Sequence, residues 1–93
     1  MKLFKYEGYN LTISEEAMLL KPFKALWKRD RSKNKDTAMM ELGYVYFMED
    51  PRSDYVLNTI DREVRDAKIR EGEGIPDSWQ PDAKVQEAMA FYS

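Results

Sequence analysis

The chain contains neither cysteine nor histidine. Without cysteine there is no disulfide, no thiolate zinc site, no thiol nucleophile and no redox switch. Without histidine the commonest general base and the commonest metal ligand are missing, so only hard-cation sites built from carboxylates remain open. A dominant charge is lacking too: 15 basic residues face 17 acidic ones, a net of -2, which is no footprint for a nucleic-acid binder. No apolar run approaches the roughly 20 residues that span a bilayer. The start, Met1-Lys2-Leu3-Phe4-Lys5, lacks the apolar centre of a signal peptide. Internal repeats and low-complexity tracts are absent as well. These absences lead us to expect a soluble protein of a reducing compartment.

What is present fits one small domain, residues 1–93, whose core must stay small because a chain of this length buries only about 60–65% of its unfolded surface. The densest apolar run is Ala38–Met48, with Glu41 as its one charge, and it stops at Asp50-Pro51-Arg52-Ser53-Asp54. We read a central helix over 36–49, capped by Asn34 or Asp36 and apolar nearly all round, so buried on several sides. Gly43 in its middle costs about 1 kcal/mol relative to alanine. Close approach of another backbone, inside the domain or at an interface, would account for it.

Around that centre the expected fold is mostly α, with about four helices and an N-terminal β-hairpin or extended arm over 1–13. Phe4 and Tyr6, then Tyr9, Leu11 and Ile13, alternate with polar residues as half-buried strands do, and Gly8 suits a tight turn. Ser14 with Glu15 and Glu16 starts a helix over about 15–30 that breaks at Pro22, with Phe23, Leu26 and Trp27 on one stripe. Ser53 or Asp54 caps a third helix over 54–71, with a stripe of Val56, Leu57, Ile60, Val64 and Ala67 and an outer face of Asp61–Arg65, Arg62–Asp66 and Asp66–Arg70 pairs. Gly72 suits its C-terminal cap, 72–81 reads as a linker pinned by Trp79, and a last helix covers 81–92 with Val85, Ala88, Met89 and Tyr92 on one face.

No catalytic constellation emerges. Pro76-Asp77 with Asp82-Ala83-Lys84 only superficially matches a metal-nuclease pattern, because a loop separates its halves. Asp66 with Glu71–Gly74 lacks the ligand spacing of an EF-hand loop, and neither GxxxxGK[ST] nor GxGxxG occurs. Adjacent acids such as Glu15-Glu16 and Glu49-Asp50 diverge by about 100° on a helix, poor geometry for a paired acid and base. We expect no enzyme, no cofactor and no metal. The segment Lys28–Asp36, KRDRSKNKD, reads as a solvated loop, a docking surface for an acidic partner, or a set of phosphate contacts through Arg29, Arg31, Lys33 and Lys35.

Within residues 23–55, Leu26-Trp27-Lys28-Arg29-Asp30, Ser32-Lys33, Glu41-Leu42, Tyr44-Val45-Tyr46-Phe47 and Asp50-Pro51-Arg52-Ser53-Asp54-Tyr55 carry a pattern. It resembles small proteins encoded among the virion structural genes of large tailed bacteriophages, crAss-like phages included. The resemblance covers about a third of the chain and brings no active-site motif. It implies a multi-copy virion component at the capsid, neck or tail, made in the host cytoplasm and partnered by other virion proteins in a symmetric assembly. Candidate interface residues are Trp27, Arg29, Arg31, Tyr44, Tyr46, Phe47, Asp50, Arg52, Tyr55 and Trp79. The alternatives are a small adaptor or regulator that binds one host or phage protein through the Lys28–Asp36 loop, and, less favoured, a nucleic-acid module.

Overall fold

Phe4, Tyr6, Leu11 and Ile13 share one face of a two-stranded antiparallel hairpin, β1 (Phe4–Glu7) and β2 (Asn10–Ile13), with Phe4 opposite Ile13 and Tyr6 opposite Leu11. The computed structural model describes residues 2–92; Met1 and Ser93, the outer ends of the expected domain and arm, lie outside them. Gly8 takes φ +65 at the first position of the two-residue loop, where such hairpins favour glycine. The hairpin root is tied down locally. The Ser14 backbone N–H donates to Leu3 O at 2.9 Å, and the Ser14 hydroxyl donates to Lys2 O. The same hydroxyl oxygen accepts the Ala17 N–H and so caps the single turn α1 (Glu15–Met18).

The expected break at Pro22 is present. Leu20 is extended, and α2 (Lys21–Arg29) restarts with the proline in its first turn, where its missing N–H costs nothing. The central helix α3 (Asp36–Glu49) has the expected bounds and buries Ala38, Leu42, Tyr44, Val45 and Met48. Neither Asn34 nor Asp36 caps it. Lys35 occupies the cap position in the left-handed region (φ 56), and the Asp30 carboxylate accepts the Ala38 N–H at 2.9 Å. Lys35 in turn donates to Trp27 O at 3.0 Å and to Asp30 O, closing carbonyls at the end of α2. Each end of the loop thus serves the helix on its far side.

The expected helix over 54–71 is two helices, α4 (Asp54–Asn58) and α5 (Arg62–Glu73). No proline or glycine separates them. Thr59 is extended, and Asp61 turns its carboxylate onto the Val64 N–H at 3.0 Å as the cap of α5. The break rotates α5, so its apolar stripe is not the expected one. Leu57, Ile60 and Val64 are exposed, while Arg65 and Ile69 face the core. Of the expected i,i+4 pairs only Asp66–Arg70 forms, at 2.9 Å. Arg65 instead donates to Met48 O (2.7 Å), Thr59 O (2.8 Å) and Ile60 O (3.2 Å), and Arg62 pairs with Glu49. Gly74, not Gly72, is the left-handed cap of α5. Gly72 lies within the helix, where a Cβ would run into the Tyr55 hydroxyl.

The last helix, α6 (Ala83–Ala90), is capped by Asp82 and buries Val85 and Ala88 against α2 and α3, with Met89 and Tyr92 half-buried on the expected face. It stops short of 92, the chain turning at Phe91 and Tyr92 over the Phe23 ring. Helix α3 therefore touches α2, α4, α5 and α6, and that wrapping is why it tolerates apolar residues nearly all round.

Candidate functional site

The stop after α3 is a closed polar corner. The buried Asp50 carboxylate accepts from the Arg52 backbone N–H (2.8 Å) and Nε (3.0 Å) through Oδ1, and from Arg52 and the Tyr92 hydroxyl (3.2 Å) through Oδ2. Burial alone would raise this carboxyl, but the Arg52 bonds, aided by Tyr92, outweigh it and hold it below its ordinary value. Burial, with the Asp50 charge beside it, pushes the Tyr92 hydroxyl well up. Ser53 stands at the cap position of α4 without capping it; its hydroxyl donates to Phe47 O at 3.0 Å. This corner is structural: it joins α3, α4 and the end of α6.

A second cluster fixes the linker. Tyr44 donates to Asp66 at 2.6 Å, and burial followed by that bond raises its hydroxyl far above the ordinary value. Trp79 meets the Tyr44 ring edge-on at 4.9 Å, while Arg70 lies over both rings and donates to Trp79 O at 2.8 Å. At the third cluster Arg29 bridges Glu41 (2.7 Å) and Asp82 (2.8 Å). Burial outweighs the arginine and raises Glu41, whose other oxygen has no partner.

These networks sort the expected interface residues. Tyr44 and Asp50 are buried in the isolated chain and offer a partner nothing. Arg29, Arg52 and Trp79 are engaged in the clusters above. Trp27 is half-buried under Lys35, 5.3 Å from its ring centre. Arg31 is exposed on the loop. Tyr46, Phe47 and Tyr55 come together at the surface, in a row of edge-to-face rings that starts at Phe4: centroids 6.0 Å, 5.6 Å and 5.2 Å apart along Phe4–Tyr46–Phe47–Tyr55, and the exposed Arg52 lines a hollow with these three.

Two exposed apolar surfaces escape a reading of the sequence. On the hairpin, Phe4 and Ile13 at the root are covered, yet Tyr6 (74% exposed) and Leu11 (46%) extend the same face into solvent, with Tyr9 fully exposed at the turn. At the α4–α5 elbow Leu57, Ile60 (90% exposed) and Val64 project outward. Beside the ring row a shallow cleft of about 120 Å³ opens over Gly43, walled by Met39, Met40, Phe47 and Ile75, with Glu73 at its rim. Nothing approaches Gly43 closely. An added Cβ would meet only the Phe47 ring, at 3.8 Å, so no backbone contact inside the domain accounts for this glycine.

Among the described residues no cluster of acidic side chains could hold a metal ion, and no helix is long and apolar enough to cross a membrane. Comparison with protein-family models, curated proteins and solved structures gives no match to any of them.

Proposed function

We propose that this chain is a structural subunit of a tailed-phage virion that acts by assembling with other virion proteins and carries out no chemistry of its own. The observation that carries the reading is the hairpin. Its apolar face is anchored at the root by Phe4 on Tyr46 and then continues past the body as Tyr6, Leu11 and Tyr9. A two-stranded ribbon is marginal by itself, and grouped exposed aromatics favour a contact more than isolated ones do. The virion setting rests on the resemblance over residues 23–55, and it makes other virion proteins, in several copies, the partners. Mass spectrometry of gradient-purified particles of the encoding phage tests this. The chain should co-purify with particles through a second gradient, and its absence from them would refute the reading.

The adaptor reading loses support from the loop that was to carry it. Asp30 and Lys35 are spent on helix ends and the exposed Arg29 on Glu41 and Asp82, which leaves Lys28, Arg31 and Lys33 as its exposed cations outside those contacts. Three scattered cations without interleaved aromatics are also a thin basis for nucleic-acid binding.

A further inference from the structure

We propose that Arg29, Glu41 and Asp82 form a proton-operated latch on α6: a proton taken up by Glu41 releases the whole Arg29 guanidinium to Asp82 and tightens the hold on that helix. The inference does not depend on the assembly reading. Its first basis is a count of charges. Two carboxylates from different elements, Glu41 on α3 and Asp82 at the cap of α6, share one guanidinium from α2. Arg29 Nη1 donates to Asp82 Oδ2 at 2.8 Å, while Nη2 is divided between Glu41 Oε2 at 2.7 Å and Asp82 Oδ1 at 3.3 Å. With both acids ionised, one negative charge in this trio is uncompensated.

The second basis is where that charge sits. Asp82 is exposed and also accepts the Val85 N–H at 3.0 Å. The Glu41 side chain is only 7% exposed, and its Oε1 has no hydrogen-bond partner among the described residues. An ionised oxygen buried without a donor is costly, and a proton on Oε1 removes that cost. Burial, then the charges of Asp82 and Asp30, disfavour ionisation of Glu41 and together outweigh Arg29. The other charged residues of α2 and α6, Lys21, Lys24, Lys28, Lys84 and Glu87, are exposed, and Asp36 and Glu49 on α3 itself lie more than a turn away. The third basis is what the sequence lacks. With neither histidine nor cysteine, no side-chain type in the chain ordinarily titrates between about pH 5 and 7.5, so a device that responds there has to be a displaced carboxyl. A proton from solvent on Oε1 leaves Glu41 neutral. Nη2 then turns wholly to Asp82 Oδ1, and the pair that ties the start of α6 to α2 becomes an unshared two-bond contact. Because Glu41 lies above its unfolded value, this contribution to stability is fully present below about pH 4.3 and is lost as pH rises through the raised value.

Amide hydrogen exchange of the full chain, read helix by helix, tests the latch together with a carbon-detected NMR titration of the Glu41 carboxyl. After correction for intrinsic exchange rates, protection in α6 should be about threefold or more higher at about pH 5 than at about pH 7.5, with a smaller change in α5. Glu41→Gln, neutral at every pH, should show the higher α6 protection throughout. Asp82→Asn keeps a capping residue but drops its charge, so it leaves Arg29 to Glu41 and should move the Glu41 titration to lower pH. Four results would each overturn the latch. They are a Glu41 carboxyl that titrates at or below the ordinary value, a Glu41→Gln chain with the pH dependence of the wild type, an α5 response equal to that of α6, and a Glu41 titration that Asp82→Asn leaves in place.

Discussion

Arg65 is the side chain on which the elbow depends, and its replacement by methionine has a calculable cost. The guanidinium is buried without a carboxylate partner and donates to Met48 O, Thr59 O and Ile60 O. It thereby closes a carbonyl at the end of α3 and two in the α4–α5 break. Methionine keeps most of the stem volume, and it relieves the desolvation of a buried cation, which favours the variant. Against that, the carbonyls of Met48 and Thr59 lose their donor in a buried setting, at about 1–3 kcal/mol each, while Ile60 O is better placed to turn to water. Orphaned carbonyls win, and the net loss is about 2–4 kcal/mol. A domain of this size holds only about 5–14 kcal/mol in total, so the midpoint of urea unfolding should fall markedly with an unchanged slope. The melting temperature should drop by about 10–25 °C. Arg65→Lys, able to reach fewer of the carbonyls, should lie between. A change under about 0.5 kcal/mol for Arg65→Met would refute the claim that this arginine holds the elbow.

Other predictions follow from the same contacts. Asp30→Ala should cost about 1 kcal/mol in a denaturant titration, because it removes the cap of α3 although it lies before the loop. Gly72→Ala should destabilise by about 0.5–2 kcal/mol by displacing the Tyr55 hydroxyl; in a Tyr55→Phe background it should instead stabilise by a few tenths to about 1 kcal/mol, a sign reversal readable in a double-mutant cycle. Acid should unfold the chain through its depressed carboxyls. Asp50, Asp82 and Asp30 (down to about 2, chiefly through Ser32 and the Ala38 N–H) all sit below their unfolded values near 3.9. Their stabilisation is therefore complete above about pH 4 and is lost as pH falls toward 2. Melting temperatures followed from pH 6 to 2 should show that slope, and Asp50→Asn should flatten part of it.

Much of the fold was legible because it rests on local signals. Ser14 caps as its residue type suggests, Pro22 restarts a helix, and the alternation of 9–13 and the long apolar run within 36–49 give a strand and a helix. The run 54–71 misled because helical spacing of Val56, Ile60 and Val64 looks the same whether or not the chain breaks. The competing signal was Asp61 after the β-branched Thr59 and Ile60, a cap and two weak helix formers. Arg65 read as one half of a surface pair because sequence cannot show that three carbonyls converge on it. The cap swap between Asp30 and Lys35 is equally non-local. Of the expected interface residues, Tyr46, Phe47 and Tyr55 lie half-buried side by side, whereas Tyr44 and Asp50 are drawn into internal networks. The hairpin tip was missed as a surface because alternation gives a face without saying how far along it the body reaches.

The central claim, that this chain works through its projecting hairpin and the surface beside it, is tested most directly by hydroxyl-radical footprinting of the free chain and of the chain in intact particles. Tyr6, Tyr9 and Leu11 are exposed in the free chain, and the account predicts that their oxidation falls several-fold in particles while that of Leu19 changes little. Equal oxidation of the hairpin in both states would contradict it.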